Sequence, residues 1–389
     1  ISKGPLILKT GDIINTQGRL VSDDNVNITS GKLINNQAQL GSQYGKLNLT
    51  TAEIENKKGV ITAKNDLIIK AQQQKINNQN GTISTLAKLV INSGDLINHF
   101  GKIASDQYAD ITAKQLDNTK GTIASNSDKL KLQTKDVNNN QGLIYAEKVL
   151  TIYADGELKN TDNKATSGIV AKDDLNLKVK QLNNQEGLIS VVGNLDLTSL
   201  EKINNQQGLV TVGGKIDLTT SQLNNFQGKV SSLGLLKINH GEGNLVSSDN
   251  IWLKSGILDN QYGSITANNA VTINSADLQN NQGTLYAKST LKISAQKLDN
   301  TEGLLQSDNQ LSVNTNKKIL INTKGNVISG TETQLNIGSL NNQKGHIQAI
   351  EKLNIQLNGQ VLDNQQGTLL SKKDLIIQGN SVNNKDGSI

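Results

Sequence analysis

Three histidines, two aspartate doublets and a recurring asparagine are the residues of this chain whose types could do chemistry. His99, His240 and His346 could share a metal ion or move a proton, but each is more than a hundred residues from the next and stands on a different repeat. Asp23-Asp24 and Asp173-Asp174 could work as paired carboxylates, an acid and a base on a glycan. Such work calls for a face that also gathers basic residues, whereas Arg19 is the single arginine. Each doublet stands just before an apolar-alternating run, where Asp serves as a turn residue. Cysteine is absent, so thiolate chemistry and disulfides are excluded. There is no Gly-x-Ser-x-Gly elbow or phosphate-cradling Gly-x-x-x-x-Gly-Lys-Ser/Thr loop.

What remains is the asparagine, which belongs to a unit [LIV]-x-Asn-x-x-Gly-x-[ILV] such as Leu182, Asn184, Gly187, Ile189. The Gly slot falls at 18, 38, 59, 81, 101, 121, 142, 168, 187, 208, 228, 243, 263, 283, 303, 325, 345, 367 and 387, with Ala38 the one departure. The Asn slot departs once, at His240. From Gly18 to Gly387, 369 residues in eighteen steps give a mean period of about 20.5. A period of that size marks a solenoid, each repeat one coil touching its neighbours. Neutral amides without carboxylates hold metals poorly. The pairs Asn98/Gly101, Asn118/Gly121, Asn139/Gly142, Asn184/Gly187, Asn205/Gly208, Asn225/Gly228, Asn260/Gly263, Asn280/Gly283 and Asn300/Gly303 therefore read as a structural turn column, with no catalytic, cofactor or metal site. Stacked about 4.8 Å apart, the amides can donate and accept along a ladder. Asn suits position i of a type I turn and Gly its position i+3 with positive φ.

Within each coil the apolar period is two, so the elements are strands. Leu195/Leu197, Ile216/Leu218, Leu291/Ile293 and Leu353/Ile355 alternate with polar residues. No segment holds helical spacing over three turns. The fold expected is all-β: about nineteen coils of roughly twenty residues, three short strands per coil, forming one body over residues 1–389. Two coils are irregular. Seven residues, 161–167, replace the usual two between Asn160 and Gly168, and should bulge as a loop; the step from Gly228 to Gly243 is 15, so that coil, near 229–243, is shortcut. Leu182, Ile189, Leu195 and Leu197 should be buried, with Lys178, Lys180 and Asp196 in water.

Aromatics are 2% of the chain, with one Pro and no Met, so no large core of bulky side chains forms. No stretch approaches eighteen apolar residues. A net charge of +5 over 389 residues, with Lys and Asp interspersed, describes solvated faces rather than a nucleic-acid or membrane patch. Trp252, between inward Ile251 and Leu253, should point outward and is the one surface contact singled out for a sugar or protein. Phe100, Tyr262 and Phe226 fall on turns.

Leu116-Asp117-Asn118-Thr119-Lys120-Gly121-Thr122-Ile123 and Leu298-Asp299-Asn300-Thr301-Glu302-Gly303-Leu304-Leu305, each followed by a Leu-rich strand, resemble the haemagglutinin repeat of filamentous-haemagglutinin-like exoproteins. That family includes adhesins of two-partner secretion systems and stick-like toxins of contact-dependent growth inhibition. The resemblance covers the chain and implies a right-handed parallel β-helix, export through an outer-membrane partner pore, and residence on the cell surface. The family's Asn-Pro-rich secretion domain and Val-Glu-Asn-Asn junction are not found, and the chain opens and closes in mid-coil, so an internal segment of a longer protein is expected.

The functional expectation is mechanical: a stiff extracellular shaft that projects a receptor-binding or toxin-bearing portion toward other cells, in adhesion or growth inhibition, without enzymatic activity or cofactor. The receptor would be met by parts outside this stretch. One rival is a shaft that itself adheres, which calls for clustered exposed aromatic or basic residues on consecutive coils. A remoter rival is a polysaccharide-active β-helix enzyme, which calls for an acid–base cluster.

Overall fold

The two-residue alternation and the recurring turn leave the backbone one economical solution, strands stacked in register. The computed structural model describes residues 2–72, 74–163, 166–220, 222–232, 236–238, 242–247 and 250–389, with 222–229, 231–232, 236–238, 242–247, 252, 254–257 and 259 described by their backbone alone. Among them there is no helix. The strands pair in parallel with partners about one repeat apart, as in Thr82↔Lys102↔Thr122 and Thr284↔Leu304↔Asn326. The fold is a parallel β-solenoid with roughly 20-residue spacing and about 17 turns. The count is slightly below the nineteen coils expected from the sequence.

Residues 1–203 form one compact unit. Its coil has three faces, seen in Thr122–Ser125, Leu130–Thr134 and Asp136–Asn138. In other coils the second and third faces run on as one strand, as in Ala109–Asp117, where the alternation slips phase at the corner Lys114-Gln115. Three short strands per coil is thus the pattern of some coils, while others bend one long strand through the corner. Inside, like residues stack on like: Ile61, Ile83, Ile103, Ile123, Ile144, Ile169 and Ile189 form one column, none more than 1% exposed. Burying each such side chain contributes roughly 1.5–3 kcal/mol, which is how a chain so poor in aromatics builds a core. Leu182, Ile189, Leu195 and Leu197 are buried while Lys178, Lys180 and Asp196 are exposed, as the alternation requires.

Residues 204–389 form the second unit, with equivalent columns Ile265, Leu285, Leu305, Val327, Ile347, Leu369 and Leu278, Leu298, Leu320, Leu340, Leu362. The short coil lies here. Ile216↔Leu236 and Ile251↔Val271 step by one full repeat, whereas Leu236↔Ile251 and Lys229↔Asn244 step by 15. The shortcut therefore falls between Ile238 and Asn244, the stretch that carries the third face and its turn in a regular coil. His240, in that stretch, lies outside the described residues.

Candidate functional site

The feature built most consistently from side chains is the asparagine corner. A strand delivers each Asn to the inside of the turn, where it is fully buried: Asn98, Asn118, Asn139, Asn160, Asn184, Asn260, Asn280 and Asn300 are 0% exposed. In the first unit Asn98 Nδ2 donates to Asn118 Oδ1 at 2.8 Å, Asn118 to Asn139 at 2.7 Å, Asn139 to Asn160 at 2.8 Å and Asn160 to Asn184 at 2.7 Å. In the second, Asn260, Asn280 and Asn300 each donate at 2.7 Å to Asn280, Asn300 and Asn322. Every rung runs from the earlier coil to the later. The remaining donor capacity goes to backbone carbonyls: Asn98 Nδ2 also reaches Gly101 O at 3.2 Å and Thr122 O at 3.0 Å. Asn205 Nδ2 bonds Gly208 O at 3.3 Å, and Gly208 N bonds Asn205 O at 2.9 Å. These amides are spent on one another and on the backbone, while Asn260 Oδ1, at the first described rung of the second unit, is buried without a hydrogen-bond partner among the described residues. The side chain of Asn225 lies outside the described residues; its backbone, with that of Gly228, belongs to the strand Gln222–Ser232.

The turn itself differs from the expected type I. Positive φ falls on the residue before glycine: 52° at Phe100, 54° at Lys120, 53° at Gln141, 51° at Glu186, 57° at Tyr262, 56° at Gln282 and 56° at Glu302. The i→i+3 bond is present, Gly121 N to Asn118 O at 2.9 Å. Positive φ at the third residue is the mark of a type II turn. A stacked backbone bond helps hold the strained residue, Lys120 N to Asn140 O at 2.9 Å. The glycines that stand in the slot do not have positive φ, and their reason is space. A Cβ at Gly121 would collide with the backbone oxygen of Asn98, with Asn118 Oδ1 at 2.7 Å and Asn98 Nδ2 at 2.8 Å. Gly283, Gly303 and Gly345 meet the same three atoms of their own columns.

The insertion at 161–167 is solved by a residue that repeat reading missed. Gly168 pairs with Leu143, so it stands one position past the slot, at the start of the strand Gly168–Ala171, and its φ of 110° is one that glycine takes without steric cost. Asn163 spans the gap: its Nδ2 donates to Asn139 O and Gly142 O, both at 3.4 Å, and its Oδ1 accepts from Leu188 N at 3.3 Å. Asn160 stays in the ladder, so the loop leaves the column unbroken. The only sequence signal was an asparagine inside the inserted stretch.

The other candidates have partners of their own. His99 packs on Phe100, ring centroids 4.6 Å apart, in the first unit, while His346 Nε2 shares a 3.0 Å bond with Gln348 Oε1 in the second. Asp174 Oδ1 accepts from Asn194 N at 2.7 Å, and Asp24 Oδ1 from Asn25 N at 2.6 Å, so these carboxylates fasten corners. Burial, then the carboxylate of Glu147, pushes the Tyr145 phenol up to about 12, so it stays protonated at neutral pH. At Glu55 burial opposes ionisation, but Lys75 and Lys57 outweigh it and hold the carboxyl below its usual range. No group of three or more metal-ligating side chains occurs among the described residues. Trp252 pairs through its backbone with Lys237 and Thr272, and its side chain lies outside the described residues. The same holds for Phe226, whereas Phe100 and Tyr262 are exposed on their turns, as expected.

The family model for the haemagglutinin repeat matches residues 1–43, 45–77, 72–133, 108–162, 150–220, 200–254, 234–315, 312–350 and 352–389. Neither a curated protein nor a solved structure matches the chain.

Proposed function

The chain belongs to the haemagglutinin-repeat family, and from that premise we propose that it is shaft material of a filamentous surface exoprotein. The repeat family is a structural and adhesin family, whose members are typically secreted to the surface. The observation that carries the reading is the way each coil spends its bonding capacity. Strand backbones, the rungs of the Asn ladder and the apolar columns find their partners in the coils on either side, which suits an element whose work is reach and stiffness. In this reading an outer-membrane pore exports the parent protein, and the shaft holds an adhesive or toxin-bearing portion toward a receptor on another cell. Among the described residues no helix is long and apolar enough to cross a membrane.

The test uses the full-length parent on cells. Alanine at Tyr153, which is exposed, and at Trp252, the surface contact that the sequence singles out, should together leave contact with target cells unchanged. If contact is lost while the purified variant unfolds at the parent's midpoint, the shaft is itself a binding module.

A further inference from the structure

The chain contains two Asn-Gly dipeptides, Asn80-Gly81 and Asn358-Gly359, and the fold treats them oppositely. Asn-Gly is the sequence in which a backbone nitrogen most readily attacks the preceding carboxamide, because glycine leaves that nitrogen unhindered. Asn80 and Gly81 are the last two residues of a repeat turn. Gly81 N is committed to Asn78 O at 3.0 Å and Asn80 N to His99 O at 3.0 Å. Gly81 is also packed against Asn78 Oδ1 and Asn56 Nδ2, which would lie 2.6 and 2.9 Å from a Cβ there. Asn358 and Gly359 instead lie in an exposed turn between the strands Lys352–Gln356 and Val361–Asp363. Their φ values are 45° and 85°, nothing lies within 4 Å of a Cβ at Gly359, and its N–H has no acceptor among the described residues.

We propose that Asn358 is a site of spontaneous deamidation and isoaspartate formation in the folded protein, and that Asn80 is protected by the repeat turn. The Gly359 nitrogen, losing its proton to base, forms a bond to Asn358 Cγ. The Cγ–Nδ2 bond breaks and ammonia leaves with the proton. Water then opens the succinimide at either carbonyl, giving aspartate or isoaspartate. The net change is water consumed and ammonia released, with no oxidant or enzyme. The change matters locally because Asn358 Nδ2 donates to Asn336 Oδ1 at 2.8 Å and to Ile337 O at 3.0 Å, tying the turn to the preceding coil. A carboxylate has no N–H to give, so the tie is lost.

The experiment incubates the purified chain at neutral and mildly alkaline pH, folded and in denaturant, and maps peptides for the mass gain of NH2 replaced by OH and for isoaspartate. In the folded chain Asn358 should react roughly tenfold faster than Asn80, equivalent to about 1.4 kcal/mol of barrier. In denaturant the two should react alike, because the difference is conformational. The inference is overturned if Asn80 keeps pace in the folded chain, or if Asn358 stays intact there while reacting in denaturant. Asn358→Asp should speed hydrogen exchange at the Gln360 N–H, which bonds Leu357 O at 3.0 Å; unchanged exchange would overturn the tie.

Discussion

The backbone oxygen of Asn98 stands where a Cβ on Gly121, one coil later, would have to go. The relation repeats for Asn280 and Gly303 and for Asn322 and Gly345. Amide ladder and glycine slot are therefore one device: the 2.7–2.8 Å rungs draw successive corners together until only a hydrogen fits between them.

Gly121→Ala should therefore cost about 1–3 kcal/mol, the range for overpacking a filled site, even though its φ suits any residue. Lys120→Gly, at the position that does have positive φ, should change stability by less than about 1 kcal/mol, since relief of strain and added unfolded-state freedom offset. Denaturant midpoints of the two variants separate the explanations: a larger effect at Lys120 would return the conformational demand to glycine.

Removing one rung, Asn118→Ala, leaves Asn139 and Asn98 each short of a partner and should cost on the order of 1–3 kcal/mol. Asn118→Asp gives a sharper readout. A carboxyl at a fully buried position has its folded pKa raised above the unfolded value. Stability is then complete below the unfolded pKa and falls as pH rises through the folded one. Urea melts should show the variant most stable in acid; a variant more stable at pH 8 than at pH 4 would contradict the burial.

Repeat, strand period, inward columns and the amide ladder were all legible in the sequence, because each is a one-residue-type signal recurring every twenty positions. Three features were not. Positive φ fell on a position filled by Gln, Lys, Glu, Phe, Tyr, Asn and Asp, a mixture that carries no single type signal, since stacking bonds such as Lys120 N to Asn140 O stabilise the conformation whatever the side chain. Gly168 looked like a slot by type but stands one residue beyond it in register with Leu143. The bridging role of Asn163 depends on where a loop folds back, which spacing does not encode.

Buried hydroxyls offer an opposite test. Thr51 and Ser93 are at most 5% exposed, and their hydroxyl oxygens have no hydrogen-bond partner among the described residues. Thr51→Val keeps the shape and removes an uncompensated polar group, so the thermal midpoint should rise. A fall in midpoint would mean that the hydroxyl is bonded in solution.

The ion-pair cluster at Glu53, Glu55, Lys57 and Lys75 sets a pH window in the first unit. Glu55 has a lowered pKa and Lys75 a raised one, the latter chiefly through its bond to Glu55. The stability that Glu55 adds is present above its unfolded value and lost as pH falls through the folded one; that of Lys75 is lost as pH rises through its folded value. Because Lys75 is 38% exposed, screening keeps the pair below about 1 kcal/mol. Lys75→Ala should flatten the acid limb of the stability profile and reduce its salt dependence.

Deleting coils tests the central claim that each one is held by its neighbours and by register. Ser264, Thr284 and Leu304 stand in one register column, so removing residues 264–303 joins Gly263 to Leu304 and lets Asn260 take the place of Asn300 beneath Asn322. That chain should unfold in one cooperative transition close to the parent's midpoint, while removal of 264–293, which breaks register, should not. Loss of folding in the first chain, or equal tolerance of both deletions, would contradict the account.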